Sequence, residues 1–343
     1  MNRTAKYTLL ALLATVAAVI LIITQIDFGL FRDAWAEADY IYLIPGALFL
    51  VLGALARAAR WRVLISDALP FRRTFSILNV TYMINGFIPF RVGELARAYL
   101  ATRADPPVPP VKSLTTIVVE RLLDLLTVVL FLAYALAAGP VPDWLRAAGI
   151  SGGITALVGF TILVILSRQR SLAHRLLDAV TGRVKPLQKI DVKKFLDDFL
   201  DGLAPLASAN TLLQALFWNA LSWGFSLASG YVLMYTFYED ANLVATCLYI
   251  AAASFAIAVP AVPGNIGTFE FSIMLALLAV GYGDESTATA FAVMVHMVNV
   301  ATYAALGIVG FVEEGVSIEQ LSQGVRDVQE ETSHMVDEPV HTR

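Results

Sequence analysis

Seven ionisable side chains lie in or beside apolar stretches of the 343-residue sequence, and they form three short groups. The groups are Arg91, Glu94 and Arg97; Glu120, Arg121 and Asp124; and Glu270. Residues three or four positions apart share one face of a helix, so members of a group can act on one ligand. Arginine holds phosphate through two parallel hydrogen bonds, so these groups indicate an anion site.

The same side chains could instead neutralise one another. Glu120 could pair with Arg91 or Arg97, and Glu94 could pair with Arg121. Such pairs would brace the chain, and breaking a buried pair costs about 3–5 kcal/mol. From residue types alone, we favour a structural role for the two carboxylates of the second group. We favour a binding role for Arg91 and Arg97.

The composition indicates that the chain faces lipid. Hydrophobic residues make up 58% and charged residues 15%, and the mean hydropathy is +0.69. Soluble domains are about half apolar and about a quarter charged, so the excess apolar surface requires a bilayer. The net charge of −4 argues against a nucleic-acid partner. With a single cysteine and no catalytic motif, we expect no metal, no cofactor and no enzymatic activity.

Apolar runs and loop charges predict an all-α membrane bundle with six full spans, the first at 7–26, and two re-entrant helical hairpins. The consecutive loops 57–73 and 97–112 are both basic, whereas two later consecutive loops lack Lys and Arg. Since loops otherwise alternate sides, 74–104 and 243–282 should each enter and leave on one side. Two full spans in 243–282 would give the same parity. Both termini are predicted to be cytoplasmic, at the plasma membrane.

Backbone-breaking residues interrupt both hairpins. They are Asn85, Pro89 and Gly93 in the first, and Pro263, Gly264 and Gly267 in the second. After each break a half-helix begins whose free N–H groups could bind an anion, with Asn265 as a candidate N-cap. The broken hairpins occupy corresponding places in the halves 7–138 and 150–312. This arrangement predicts an inverted-topology repeat with a substrate site at the midplane.

The remaining segments are assigned by charge and periodicity. Residues 1–315 form a single membrane domain, in which 168–207 is a basic cytoplasmic linker with an amphipathic helix. Residues 316–343 are predicted to form an acidic, largely disordered tail. In the last span, His296, Asn299 and Tyr303 form a polar stripe. We interpret this stripe as an interhelical contact rather than a proton relay.

Three motifs resemble the lysylphosphatidylglycerol synthase transmembrane region, or flippase-like, family. They are NGFIPFRVGELARAYL at 85–100, VERLLDLL at 119–126 and VPGNIGTFE at 262–270. The sequence departs at Phe90 and Asn265, where the family often has glycine. The resemblance implies an eight-element bundle with re-entrant hairpins that moves lipids between leaflets. In multi-domain relatives a cytosolic aminoacyltransferase domain follows, and from the short segment after the last span we expect no synthase activity.

Three functions stay open. In the first, Arg91, Arg97 and Arg121 hold an anionic phospholipid or a polyprenyl-phosphate-linked lipid during movement between leaflets, while Glu94 and Glu270 balance the charge. The second is an ion- or proton-coupled transporter of a small soluble anion, which requires a polar cavity closed to lipid. The third is a non-transporting membrane partner of a glycosyltransferase or lipid enzyme, with paired charges and no cavity. The sequence assigns no oligomeric state.

Overall fold

The protein is described by a computed structural model that covers residues 28–88, 91–140, 143–181, 196–197, 200, 203–258 and 263–337. These residues are mostly helical and include no β-strand, so the all-α prediction is confirmed. Three helical segments are long and apolar enough to cross a bilayer: Tyr40–Leu64, Ile150–Arg168 and Glu285–Glu314. The chain is therefore a membrane protein. The predicted first span, 7–26, lies outside the described residues.

The described helices are numbered α1 to α13, and short 3-10 turns at Tyr40–Tyr42 and Pro263–Asn265 precede α2 and α11. Their bounds are α1 Phe28–Glu37, α2 Leu43–Leu64, α3 Phe71–Phe87, α4 Val92–Thr102, α5 Pro110–Ala138, α6 Asp143–Arg168, α7 Arg170–Thr181, α8 Ala204–Ala207, α9 Ala209–Met234, α10 Leu243–Ala258, α11 Thr268–Ala279, α12 Glu285–Glu314 and α13 Ile318–Asp337.

Local residue chemistry sets the ends of the long helices. The carboxylate of Asp284 accepts hydrogen bonds from the backbone N–H groups of Ser286 and Thr287, and this caps the start of α12. Gly315 adopts a left-handed conformation with φ 59° and ends the same helix. At the start of α9, the Ser208 hydroxyl accepts from the N–H of Thr211. These caps satisfy backbone groups that a helix end leaves unpaired.

Small residues let the central helices approach closely. Helix α2 packs along α9, where the Ser229 hydroxyl donates to the carbonyl of Gly46 at 2.8 Å. Helix α3 packs along α12, where Gly307 and Gly310 leave no room for a Cβ atom against the backbone of α3. Small residues at helix crossings are typical of membrane bundles, because close backbone approach gives the packing contacts.

The predicted breaks do interrupt the two hairpin segments. Helices α3 and α4 have 17 and 11 residues, and α10 and α11 have 16 and 12. At 1.5 Å per residue each arm is about 16–26 Å long, shorter than a hydrocarbon core of about 30 Å. Helix α3 packs on α4, and α10 packs on α11. That each pair enters and leaves on one side stays a prediction, which the short arms favour.

Equivalent helices of the two halves make equivalent packing contacts with the other half. Helix α3 of the first half packs on α12, the last helix of the second half, and α10 packs on α5 in the same way. Each second arm also contacts the last helix of its own half, α4 on α5 and α11 on α12. At the breaks, Arg91 and Asn265 both adopt left-handed backbones, with φ 54° and 53°. This correspondence favours the predicted inverted repeat.

The acidic tail differs from the prediction. Much of 316–343 forms α13, which packs on α4 and places Gly324 against the ring of Tyr99. Leu321, Val325 and Val328 recur at helical spacing and lie on the buried side. The polar composition hid this stripe, and disorder was the wrong prediction for the helical part. The predicted amphipathic helix of the linker lies largely outside the described residues.

The first part of the basic segment 57–73 is helical. Helix α2 continues to Leu64, so Arg57 and Arg60 belong to a helix in the bundle and not to a loop. Alanines at 54, 56, 58 and 59 favour helix and carry it past the apolar run. The positive charge beside this connection is carried by Arg62 in the last turn of α2 and by Arg72 and Arg73 in the first turn of α3.

Candidate functional site

The two helix breaks meet at a central cavity of about 550 Å³. A Cβ atom on Gly264 of the second break would lie 3.2 Å from the carbonyl oxygen of Gly86 in the first hairpin. The guanidinium of Arg91 donates to the carbonyl of Ile257 at the end of α10, at 3.2 Å. Asn85 and Asn265 also line the cavity. Two segments far apart in sequence thus form one site.

Positive charge dominates the cavity wall. Arg57, Arg91 and Arg121 line it, and Asp124 is the one carboxylate residue on the wall among the described residues. Aromatic side chains complete the polar part, with the rings of Tyr82 and Tyr303 in an edge contact at 5.2 Å. The arrangement suits a ligand with a negative charge and hydrogen-bond acceptors.

Arg57 differs from the other inward-facing arginines because its direct partners are hydroxyl groups. It donates to the hydroxyl of Tyr303 at 2.6 Å and to that of Ser226 at 3.0 Å. Its guanidinium lies 5.8 Å from the ring centre of Trp223. Within the described part of the chain, no carboxylate oxygen lies within 4.0 Å of it. Asp124, which lines the same cavity, interacts with the charge of Arg57 from farther away.

Arg97 and Glu120 form a buried pair away from the cavity. Two hydrogen bonds of 2.7 and 3.0 Å join the guanidinium to both carboxylate oxygens. The guanidinium also lies over the ring of Trp61 at 4.0 Å. Neither Arg97 nor Glu120 lines the cavity. The structure therefore places Arg97 in a bracing contact between α4 and α5, where we had favoured a binding role.

Asp124 both faces the cavity and holds a buried arginine. It accepts from Arg60 at 2.6 Å and from the indole N–H of Trp223 at 3.0 Å. Arg60 also donates to the side chain of Asn219. Arg60 was not recognised as a partner from the sequence, because it was counted as a loop charge. Asp124 thus joins α2, α5 and α9.

Glu94 is shared by two cavity arginines. Its carboxylate lies 2.7 Å from Arg121, a pair named from the sequence, and 3.5 Å from Arg91. Arg121 lies at 4.0 Å from Asp124 as a second partner. One carboxylate cannot fully neutralise two guanidinium groups, so this side of the cavity keeps positive charge.

The half-helix N-termini are capped by the protein itself. The side-chain oxygen of Asn85 accepts from the N–H of Gly93 at 2.9 Å. Glu270 accepts from the N–H of Gly267 at 2.7 Å, so Gly267 and not Asn265 is the N-cap of α11. The predicted N-cap is wrong, and these two N–H groups are occupied.

A histidine that we had interpreted as a packing residue belongs to the site. His296 Nδ1 lies 2.5 Å from Glu270, and His296, Asn299 and Tyr303 all line the cavity. Their helical spacing along the last span is visible in the sequence, where it indicates an interhelical contact.

Among the described residues, no group of three His, Cys, Asp or Glu side chains could hold a metal ion.

Large apolar side chains form the rest of the cavity wall. Phe87 is 57% exposed and Leu125 is 51% exposed, and Phe255 and Ile257 beside them are also exposed. These residues come from α3, α5 and α10. In a bilayer such surface is compatible with acyl chains, so the cationic groups lie next to a surface suited to lipid.

Two comparisons relate this chain to known proteins. A family model described as the lysylphosphatidylglycerol synthase TM region matches residues 8–307, which include both breaks and α5. A protein described as a UPF0104 membrane protein, from Methanothermobacter thermautotrophicus, is 24% identical over 327 residues. That match covers 89% of this chain and 94% of the relative.

Proposed function

The chain belongs to the lysylphosphatidylglycerol synthase TM region family, and we propose that it is a transporter that moves an anionic lipid between the leaflets of the plasma membrane. One observation carries the proposal. Three arginines, Arg57, Arg91 and Arg121, line the central cavity beside exposed apolar side chains. This pairing of surfaces matches a molecule with a charged head group and an apolar tail.

The charge of the site supports an anionic substrate. Arg60 engages Asp124, and Arg91 and Arg121 share Glu94. Within the described residues, the side-chain hydrogen bonds of Arg57 go to the hydroxyls of Tyr303 and Ser226. Arg57 is partly buried and, within the described residues, no carboxylate is within salt-bridge distance of it, so a bound phosphate would give it a direct counter-charge. We expect a phospholipid phosphate or a polyprenyl phosphate to supply this charge.

The apolar wall supports lipid over a small soluble anion. A transporter of soluble anions should surround its substrate with polar groups, whereas Phe87 and Leu125 give this cavity a large exposed apolar surface. A passive membrane partner should have neither a cavity nor unpaired cations. We therefore propose transport by the membrane domain itself, without an enzymatic step.

The two broken hairpins would provide the movement. We propose six full spans, with both hairpins re-entrant and the halves related as an inverted repeat. In such transporters, one repeat rocks against the other around a site at the midplane. The close approach of Gly264 in the second hairpin to Gly86 in the first supports a site between the two proposed repeats. Both termini would then lie in the cytoplasm.

Purified protein in liposomes tests the proposal. Fluorescent phosphatidylglycerol, phosphatidylcholine and a polyprenyl phosphate would be placed in both leaflets, and a membrane-impermeant quencher would report the rate of leaflet exchange. We expect faster exchange of an anionic lipid than in protein-free vesicles, with a smaller effect on phosphatidylcholine. Exchange of all three lipids at the protein-free rate, with folded protein, would refute the proposal.

A further inference from the structure

A second, smaller cavity adjoins the first on the other side of Arg57. Its volume is about 220 Å³, and it lies between α2, α9, α10 and α12. Arg57, Trp223 and Tyr303 line both cavities. The hydrogen bond from Arg57 to Tyr303 therefore lies at their boundary. A ligand bound to this guanidinium would have access to either space.

The smaller cavity extends toward the end of the bundle predicted to be external. Leu50 lines it from two turns before Arg57 on α2, and Leu233 lines it near the end of α9. The segment before α2 carries little positive charge, which predicts an outer location. The smaller cavity thus lies on the side of Arg57 that is predicted to be external.

Tyr249 lines the smaller cavity and carries a buried hydroxyl without a partner among the described residues. Its side chain is 2% exposed, and its hydroxyl has no hydrogen-bond partner among the described residues. Gly230 faces it so closely that a Cβ atom there would overlap the hydroxyl. Buried hydroxyl groups are nearly always paired, so an orphan that lines a cavity indicates a missing ligand. A phosphate oxygen would be a suitable acceptor.

We propose that the smaller cavity is a second phosphate subsite, in which Arg57 binds the anion and the Tyr249 hydroxyl donates a hydrogen bond to it. The lipid origin of that phosphate rests on the proposed function, whereas the subsite itself does not. The cavity volume of about 220 Å³ leaves room for a phosphate group. The apolar tail would stay outside it, and the head group would pass from the larger cavity as Arg57 changes partners.

Binding by the full-length purified protein in a neutral detergent tests the subsite. Calorimetric titrations would use two probes, inorganic phosphate and short-chain phosphatidic acid. In Tyr249→Phe we expect the Kd of the bound probe to rise about tenfold, which corresponds to about 1.4 kcal/mol. Arg57→Gln should raise it further. Binding of phosphatidic acid alone would identify a lipid source, and equal binding of inorganic phosphate would identify a soluble one.

Tyr238→Phe is the matched control. The Tyr238 hydroxyl is also buried and unpaired among the described residues, but Tyr238 lines neither cavity. The Tyr238→Phe protein should bind both probes with the Kd of the unaltered protein. The subsite is refuted if Tyr249→Phe binds with unchanged Kd, or if the unaltered protein binds neither probe. Probe binding that depends on Tyr249, without lipid exchange in liposomes, would refute the proposed transport and leave the subsite standing.

Discussion

Arg57 and Arg60 lie one turn apart on α2 and have different direct partners. Arg60 is buried and bonded to Asp124 and Asn219. Arg57 faces the cavities and bonds to the hydroxyls of Tyr303 and Ser226. The same residue type on one helix therefore serves two purposes. Arg60 is held by a close carboxylate away from the cavity wall, whereas Arg57 can meet a charged ligand in the cavity.

The comparison extends to the rest of the bundle. Arg97 resembles Arg60, with a two-bond carboxylate partner and no contact with the cavity. Arg91 and Arg121 resemble Arg57 in that they line the cavity, although both also contact Glu94. Substitutions in the first set should reduce folding stability, and those in the second set should reduce transport. This division gives four tests.

The largest effect should come from breaking the buried pair. Glu120→Gln leaves the Arg97 guanidinium without its counter-charge and should destabilise the fold by about 3–5 kcal/mol. Cys247 is buried and is the single cysteine of the chain, so reaction with a thiol-reactive dye on heating reports unfolding. The double variant Arg97→Met with Glu120→Leu should recover much of the loss. If Glu120→Gln unfolded at the same temperature as the unaltered protein, the scaffold role of this pair would be contradicted.

The second largest effect should follow from Arg57→Gln, and it should appear in the transport rate and not in the unfolding temperature. No carboxylate is stranded, so the unfolding temperature should stay the same or rise. Transport of an anionic lipid should fall about 100-fold, or about 2.7 kcal/mol in the activation barrier. The measurement pairs the dye assay with leaflet exchange in liposomes. Early unfolding, as for Glu120→Gln, would mean that Arg57 is also a scaffold residue.

An intermediate effect is expected for Arg121→Gln. The side chain of Arg121 is half-exposed, and Glu94 can still pair with Arg91 after the change. Exchange of the anionic lipid should fall about tenfold, or about 1.4 kcal/mol. Rates measured at several lipid concentrations would separate weaker binding from slower movement. A loss as large as that of Arg57→Gln would show that the two arginines act as one unit.

The smallest effect should be at the surface. Arg72 pairs with Glu313 at 2.7 Å, but its side chain is 84% exposed, so solvent screens the interaction. Arg72→Gln should leave both the unfolding temperature and the exchange rate unchanged. It is the control for loss of an arginine as such. A clear loss of transport in this variant would show that positive charge anywhere on the protein matters.

Much of the fold was accessible from the sequence because the breaks carry strong local signals. Proline and glycine interrupt apolar runs at both hairpins, and the structure has helix ends there. The ion pairs of Glu120 with Arg97 and Glu94 with Arg121 were among the alternatives, since helical spacing limits the available partners. Loop charge alone could not place the bilayer, so the predicted sidedness stays a prediction.

The site was harder to predict because its main arginine looked like a loop residue. Arg57 follows an apolar run and precedes other basic residues, which is the usual pattern of a cytoplasmic loop. Only the packing of α2 on α9 turns it inward. Trp223 and Tyr82 carry no sequence signal that separates them from ordinary packing aromatics. His296 had a recognisable spacing, but its partner Glu270 is supplied by another helix.

The most direct test of the central claim compares two lipids in one experiment. Leaflet exchange of phosphatidylglycerol and phosphatidylcholine would be measured in the same liposomes, with the unaltered protein and with Arg57→Gln. We predict that the unaltered protein exchanges phosphatidylglycerol faster and that Arg57→Gln loses this preference while it remains folded. An unchanged preference in folded Arg57→Gln would contradict the claim that its unpaired charge binds the substrate.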